Sequence, residues 1–209
     1  MQDVLAAIDS EAKQYAGRPL FRLLEQRVTS EKFREIVTRH RQEDAGHEVW
    51  LYTDMGKLGV QQSIASMFGK RYRVTRDTAF ELVSEVYRAS SDATRLAIPL
   101  ALESTGDVFF EAVTGFFERV GVSDGLEYFS RSHWNVEQGH NMFEGDHAEQ
   151  LRQLALTTME REESISAVER IVAGLIRWAD DMYEQLTRAR MRRTKHGGCR
   201  AASGGARGA

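Results

Sequence analysis

Only two prolines, Pro19 and Pro99, interrupt 209 residues. Proline inside a helix deletes a backbone hydrogen bond and crowds the preceding turn, so long proline-free stretches leave helices unbroken. Valine and isoleucine alternating with period two are scarce, whereas apolar residues recur with the 3.6-residue period of a helix. The pattern predicts an all-α chain with helices over 2–16, 30–58, 62–69, 75–90, 92–120, 124–144 and 159–190. Pro19 falls in the connection after the first helix, and Gly59, Gly121 and Gly125 fall where helices should stop or start. Thr158 precedes Glu160, Glu162 and Glu163, a negative first turn that suits a helix N-terminus. The last helix is expected to bury Ile165, Val168, Val172, Leu175 and Trp178 in a purely structural role.

The length suits one domain with a substantial core rather than two. With 42% hydrophobic and 28% charged residues the composition is that of a water-soluble globule, not a disordered chain. No apolar run reaches the roughly 18 residues of a membrane span, and no secretory signal opens the chain, so no membrane partner is expected. Cys199 is the single cysteine, which excludes an intrachain disulfide and favours a cytoplasmic setting. Residues 191–209 carry a charge of +5 without an acid, which leaves −8 for residues 1–190. That tail holds five glycines and no large apolar residue after Met191, so residues 191–209 are expected to be a disordered basic tail beyond a helical domain of residues 1–190. An acidic body repels phosphate, so nucleic acid is not an expected partner.

Against this background, three sets of polar residues fall where core is expected. Glu103 follows Ala97–Leu102 and precedes Val108-Phe109-Phe110, the most apolar stretch of the chain. A helix apolar all round is a buried one, so Glu103 needs a compensating partner: an arginine, a tyrosine or a cation. Pro99, one turn earlier, is expected to bend this helix near Glu103. His133, Glu137 and His140 are spaced i, i+4, i+7, within an arc of about 60° on one helix face. His40, Asp44 and His47 repeat the spacing, flanked by Phe33, Ile36, Val37, Val49, Trp50 and Leu51. Four of the six histidines therefore lie in two copies of His-x3-acid-x2-His, a ligand set for iron, manganese or zinc. Helix bundles build metal sites from such inward residues on facing helices. Glu144 and His147 extend the series, but Gly145-Asp146 is expected to end the helix before His147.

These residues resemble the haem-oxygenase-like di-iron oxidases and oxygenases, also called the iron-containing redox enzyme family. The resemblance spans about residues 17–190. It runs from Arg18-Pro19-Leu20-Phe21 through Glu43-Asp44-Ala45-Gly46-His47-Glu48-Val49-Trp50 and Leu102-Glu103 to His133-x3-Glu137-x2-His140. The family draws a carboxylate and a histidine from its first core helix, a glutamate from the second and His-x3-Asp-x2-His from the third. The intervals of 56 residues from His47 to Glu103 and 30 from Glu103 to His133 agree with that order. Two positions depart from it. Glu137 replaces the third-helix aspartate, and His40 stands seven residues before His47, where the family often has a glutamate. Asp44 or Glu43 could supply that carboxylate instead, or His40 itself could bind and give a nitrogen-richer site.

The resemblance implies a haem-oxygenase-like bundle of about seven helices holding two iron ions per chain, with manganese as the alternative metal. The ligands expected from the helical spacing and the resemblance together are His40, Asp44, His47, Glu103, His133, Glu137 and His140, with His40 resting on the spacing alone. It further implies O2 activation to oxidise or cleave a small organic substrate, an amino acid, amine or fatty acid, and a fold in which homodimers are common. Phe109, Phe110, Phe116 and Phe117 are expected either to wall a pocket or to fill core, and Arg73, Arg76 and Arg131 are the basic residues nearest in sequence for a substrate carboxylate. Two competing readings remain: a non-catalytic metal-binding helical protein, and a thiaminase-like hydrolase, for which Cys199 is the sole candidate nucleophile.

Overall fold

The computed structural model describes residues 20–60, 69–139, 149 and 151–198. Among them every long element is a helix and no strand occurs. Helix α1 covers 20–27, α2 Glu31–Glu43, α3 His47–Lys57, α4 Arg73–Arg88, α5 Asp92–Arg119, α6 Arg131–Gly139 and α7 Thr158–Gly198, with a 3-10 turn at Lys70–Tyr72. No helix among the described residues is long and apolar enough to cross a membrane. The helices expected over 2–16 and 62–69 lie outside the described residues, as do Pro19, Cys199 and the rest of 199–209.

Helix α1 occupies residues expected to form a connection, and three further boundaries differ from the sequence expectation by more than two residues. The single helix expected over 30–58 is two, because Gly46 adopts φ 103°, a conformation that L side chains rarely enter. The helix expected from 124 begins at Arg131. The residues before it form a loop that a buried aspartate on α3 holds in place. Helix α7 continues to Gly198, eight residues into the segment expected to be unstructured. Good helix formers such as Arg190, Met191, Arg192 and Arg193 extend an existing helix at little cost.

The core lies in two clusters. The first gathers Leu20, Leu24, Ile36, Val37, Leu82, Val86, Leu96, Ile98 and Leu102 from α1, α2, α4 and the first half of α5, with Ile171 of α7. The second gathers Leu51, Met55, Phe110, Phe117, Leu126, Tyr128 and Phe129 from α3, the second half of α5 and the loop before α6. Helix α7 packs chiefly on α5 and α4, through Ala167, Ile171 and Trp178. Ile165, expected in the core, is 52% exposed. The apolar stripe on α7 is wider than one contact face, so period alone could not set its rotation.

Side-chain pins fix the helices in register. Asp92, in the first turn of α5, accepts hydrogen bonds from the Thr29 and Ser30 backbone N–H groups at 2.9 and 2.7 Å and from the Thr29 hydroxyl at 2.8 Å. Helices α2 and α5 thus start from one point. Ten residues along α2 lies His40 and eleven along α5 lies Glu103, both about 15 Å from the pin at 1.5 Å per residue. Glu163 of α7 accepts from Ser90 and Thr94 at the other side of the α5 N-terminus. The buried Glu85 of α4 receives two parallel bonds from Arg170 of α7, at 2.9 and 2.7 Å. Thr157 and Glu160 bond reciprocally and cap α7. Helix α5 runs on through Pro99.

Candidate metal centre

Two groups of three donors come together where α2, α3, α5 and α6 meet. His40, Asp44 and Glu103 form one; His47, His133 and Glu137 form the other. Within each, the potential ligand atoms all lie within 4.8 Å of one another, and each could hold a metal ion. Six of the seven residues singled out in the sequence are in these groups. The seventh, His140, lies outside the described residues, as do Glu144 and His147.

The break at Gly46 changes how the first motif works. His40 and Asp44 remain one helical turn apart at the end of α2, with Asp44 as its C-cap. His47 is the first residue of α3 and faces the other group. The first motif therefore does not act as one continuous arc. Each motif gives a His-x3-acid pair, His40/Asp44 and His133/Glu137, and a third donor, Glu103 or His47, arrives from another helix.

Distances within the groups are short. His40 Nε2 lies 3.1 Å from Glu103 Oε1 and 3.4 Å from Asp44 Oδ2. His47 Nδ1 lies 3.0 Å from Glu137 Oε1, and His133 Nε2 lies 2.7 Å from the same oxygen. His47 Nδ1 and His133 Nε2 are 3.4 Å apart. Asp44 spans the groups, with Oδ2 toward His40 and Oδ1 4.0 Å from His47 Nδ1. Glu43, the alternative carboxylate, is held away in an ion pair with Arg39 at 2.9 Å.

Burial makes these groups expensive without a cation. His40 and His133 are each 2% exposed. Neither ring nitrogen of His40 is satisfied by a well-formed hydrogen bond, its Nε2 meeting the Glu103 and Asp44 carboxylates at 3.1 and 3.4 Å. A buried unsatisfied polar atom costs free energy, and a metal ion would use the lone pair that is left over. The donor set, three imidazoles and three carboxylates, is one that divalent first-row metals accept. Glu103 itself is partly buried, not in the deep core that the apolar run suggested, since α5 leaves Ser104, Asp107 and Val108 exposed beside it.

Protonation follows the same proximity. Burial pushes the His40 imidazole down, but the Glu103 and Asp44 carboxylates together outweigh it and lift its pKa to about 9. Burial raises the Asp44 carboxyl, and His40 only partly offsets that because Glu137 and Glu103 repel its charge. Burial pushes Glu137 up too, yet His133 and His47 hold it well below the usual carboxylate range. Influence crosses between the groups, so the six residues form one electrostatic unit.

His133 is oriented by residues that carry no metal-binding signature. Its Nδ1 lies 2.7 Å from the Tyr128 backbone carbonyl, which can only accept, so Nδ1 carries a proton and Nε2 is the nitrogen that faces Glu137 and His47. Asp54 of α3, fully buried, holds that loop by accepting the backbone N–H groups of Glu127 at 2.9 Å and Phe129 at 3.1 Å. Asp107 of α5 accepts from Trp134 at 3.0 Å and from Gln138, which clamps α6 against α5. Aromatic rings enclose the histidines. Trp50 stacks on His47 at 4.8 Å, Phe110 and Tyr128 each lie 4.8 Å from His133, and Phe21 lies 4.7 Å from His40.

Of the four expected wall phenylalanines Phe110 contacts a donor, His133; Phe117 packs on Phe129, and Phe109 packs beside Trp178. Arg131 is paired with Glu118 at 2.6 Å and stacked over Trp134. Arg76 is paired with Asp77 at 2.7 Å. Neither is aimed at the donors. Compared with known proteins, the chain matches no family model and has no significant match among curated proteins.

Proposed function

We propose that this chain is a di-metal oxidase or oxygenase with a haem-oxygenase-like helical fold, holding two iron ions and using O2 to oxidise or cleave a small organic molecule. The observation that supports it best is the pair of adjacent His/carboxylate groups joined by Asp44. In this reading His40, Asp44 and Glu103 hold one ion, and His47, His133 and Glu137 the other. Bound ferrous ions would supply the electrons for O2 activation. The polypeptide contributes rigidity and dryness. Asp54 and the Tyr128 carbonyl keep His133 in one tautomer, and Phe21, Trp50, Phe110 and Tyr128 exclude water from the imidazoles. Two ions held from α2, α3, α5 and α6, with α2 and α3 together in the place of the family's first core helix, also fit the order of ligands in the resembling family, with His40 in the place of a carboxylate.

Anaerobic reconstitution with ferrous iron, followed by exposure to O2, tests this reading. About two ferrous ions per chain should bind, and mixing with O2 should oxidise them and consume O2. Stoichiometric binding of ferrous iron that survives O2 unchanged would leave a non-catalytic metal-binding protein instead. Cys199, the candidate nucleophile of the cysteine hydrolase alternative, lies outside the described residues.

A further inference from the structure

The two donor groups are chemically unequal. His47, His133 and Glu137 offer two imidazole nitrogens and one carboxylate; His40, Asp44 and Glu103 offer one nitrogen and two carboxylates. They also differ in preorganisation. In the nitrogen-rich group His133 is tied through Nδ1 to the Tyr128 carbonyl, His47 is stacked on Trp50, and Glu137 is 14% exposed. In the carboxylate-rich group Asp44 caps the end of α2 and its side chain is 30% exposed, while His40 makes no well-formed hydrogen bond at either nitrogen.

We infer that the chain discriminates between metals at its two positions, the nitrogen-rich group being selective for later first-row ions such as Fe2+ or Zn2+, the carboxylate-rich group accepting Mn2+. The inference rests on the di-metal reading above. Imidazole nitrogen favours the later divalent ions along the first row, whereas carboxylate oxygen narrows their advantage over manganese. Rigid, dehydrated donors sharpen the preference further, because a held ligand cannot relax around a poorly matched ion. The carboxylate-rich position is then the exchangeable one, loaded second and open to more than one metal.

Single-position variants of the full chain test this with metal alone. Glu103→Gln disables the carboxylate-rich group and His133→Ala the nitrogen-rich one; His40→Asn and His47→Asn serve as second choices if either variant misfolds by circular dichroism. Zn2+ and Mn2+ are titrated separately into each, against a chelating indicator. The ratio of manganese to zinc dissociation constants should be at least about tenfold larger for the nitrogen-rich position than for the carboxylate-rich one. Ratios that agree within about twofold would overturn the inference while the wild type still binds two ions. A wild type that binds fewer than two Zn2+ ions would instead defeat the di-metal reading on which it stands.

Discussion

Asp44 Oδ1 stands 4.0 Å from His47 Nδ1, across the break that Gly46 makes between α2 and α3. The same carboxylate reaches His40 with its other oxygen, so one short side chain faces both donor groups. A carboxylate so placed can contact both ions, a role that Glu43 cannot fill while Arg39 holds it. Asp44→Asn should therefore lower binding at both positions, whereas Glu43→Gln should leave metal content unchanged. Metal analysis of the two proteins after anaerobic loading distinguishes them. Equal metal in both would remove Asp44 from the site.

Glu103 supplies a donor from the middle of α5, its side chain 17% exposed and 3.1 Å from His40. Glu103→Gln preserves shape and removes charge. The variant should bind about one ion instead of two, and without metal it should lose part of the stability that the Glu103 charge gives through His40 below about pH 9. Retention of both ions would make the contact with His40 an ordinary buried ion pair.

His133 depends on Asp54 although the two side chains do not bind each other. Asp54 accepts three hydrogen bonds from two backbone N–H groups that flank Tyr128, and the Tyr128 carbonyl fixes the His133 proton. Asparagine at position 54 would turn an N–H2 group toward backbone donors. Asp54→Asn should cost about 2–3 kcal/mol in urea unfolding, the scale of losing charge-assisted bonds in a buried place. It should also weaken metal binding by the His47/His133/Glu137 group more than by the other. Destabilisation with undiminished binding there would confine Asp54 to a scaffold role.

Much of this was legible in the residues, and what was not has identifiable causes. The helical period gave the all-α class, and His-x3-acid spacing correctly put His133 with Glu137 and His40 with Asp44, since each pair spans one turn. The longer step to His47 failed because it assumed an unbroken helix; Gly46 redirects the chain and passes His47 to the other group. Ala45 and Gly46 between charged residues look unremarkable in a linear pattern, and only the backbone angle reveals the turn. Asp54 and the Tyr128 carbonyl escaped notice for a different reason. A backbone carbonyl leaves no mark on a sequence, and a lone aspartate on a helix reads as a solvated residue. The rotation of α7, with Ile165 outward, was undetermined because apolar residues fall on more than one of its faces.

The last prediction concerns pH. His40 has its pKa lifted from 6.5 to about 9 in the folded, metal-free protein. The folded chain thus holds this proton more tightly than the unfolded chain, and the stabilisation is complete below about pH 6.5. It fades as pH rises and is gone above about 9, a change on the order of 3 kcal/mol. Asp44 acts in the same sense at lower pH: its raised pKa means that folding favours the protonated acid, so ionisation as pH rises removes stability. Glu137 acts oppositely, its lowered pKa supporting the fold above the ordinary carboxylate range and failing as pH falls. Metal-free protein should accordingly lose stability between pH 6.5 and 9, and His40→Gln should flatten that part of the curve. A bound cation replaces the proton at His40, so metal-loaded protein should show little decline over the same interval, with apparent metal affinity rising with pH. Urea midpoints of the metal-free wild type, metal-free His40→Gln and the metal-loaded wild type, taken at pH 6, 7, 8 and 9, give the comparison directly. Three parallel curves would mean that His40 keeps no extra proton in the fold and that its contacts with Glu103 and Asp44 carry no charge coupling.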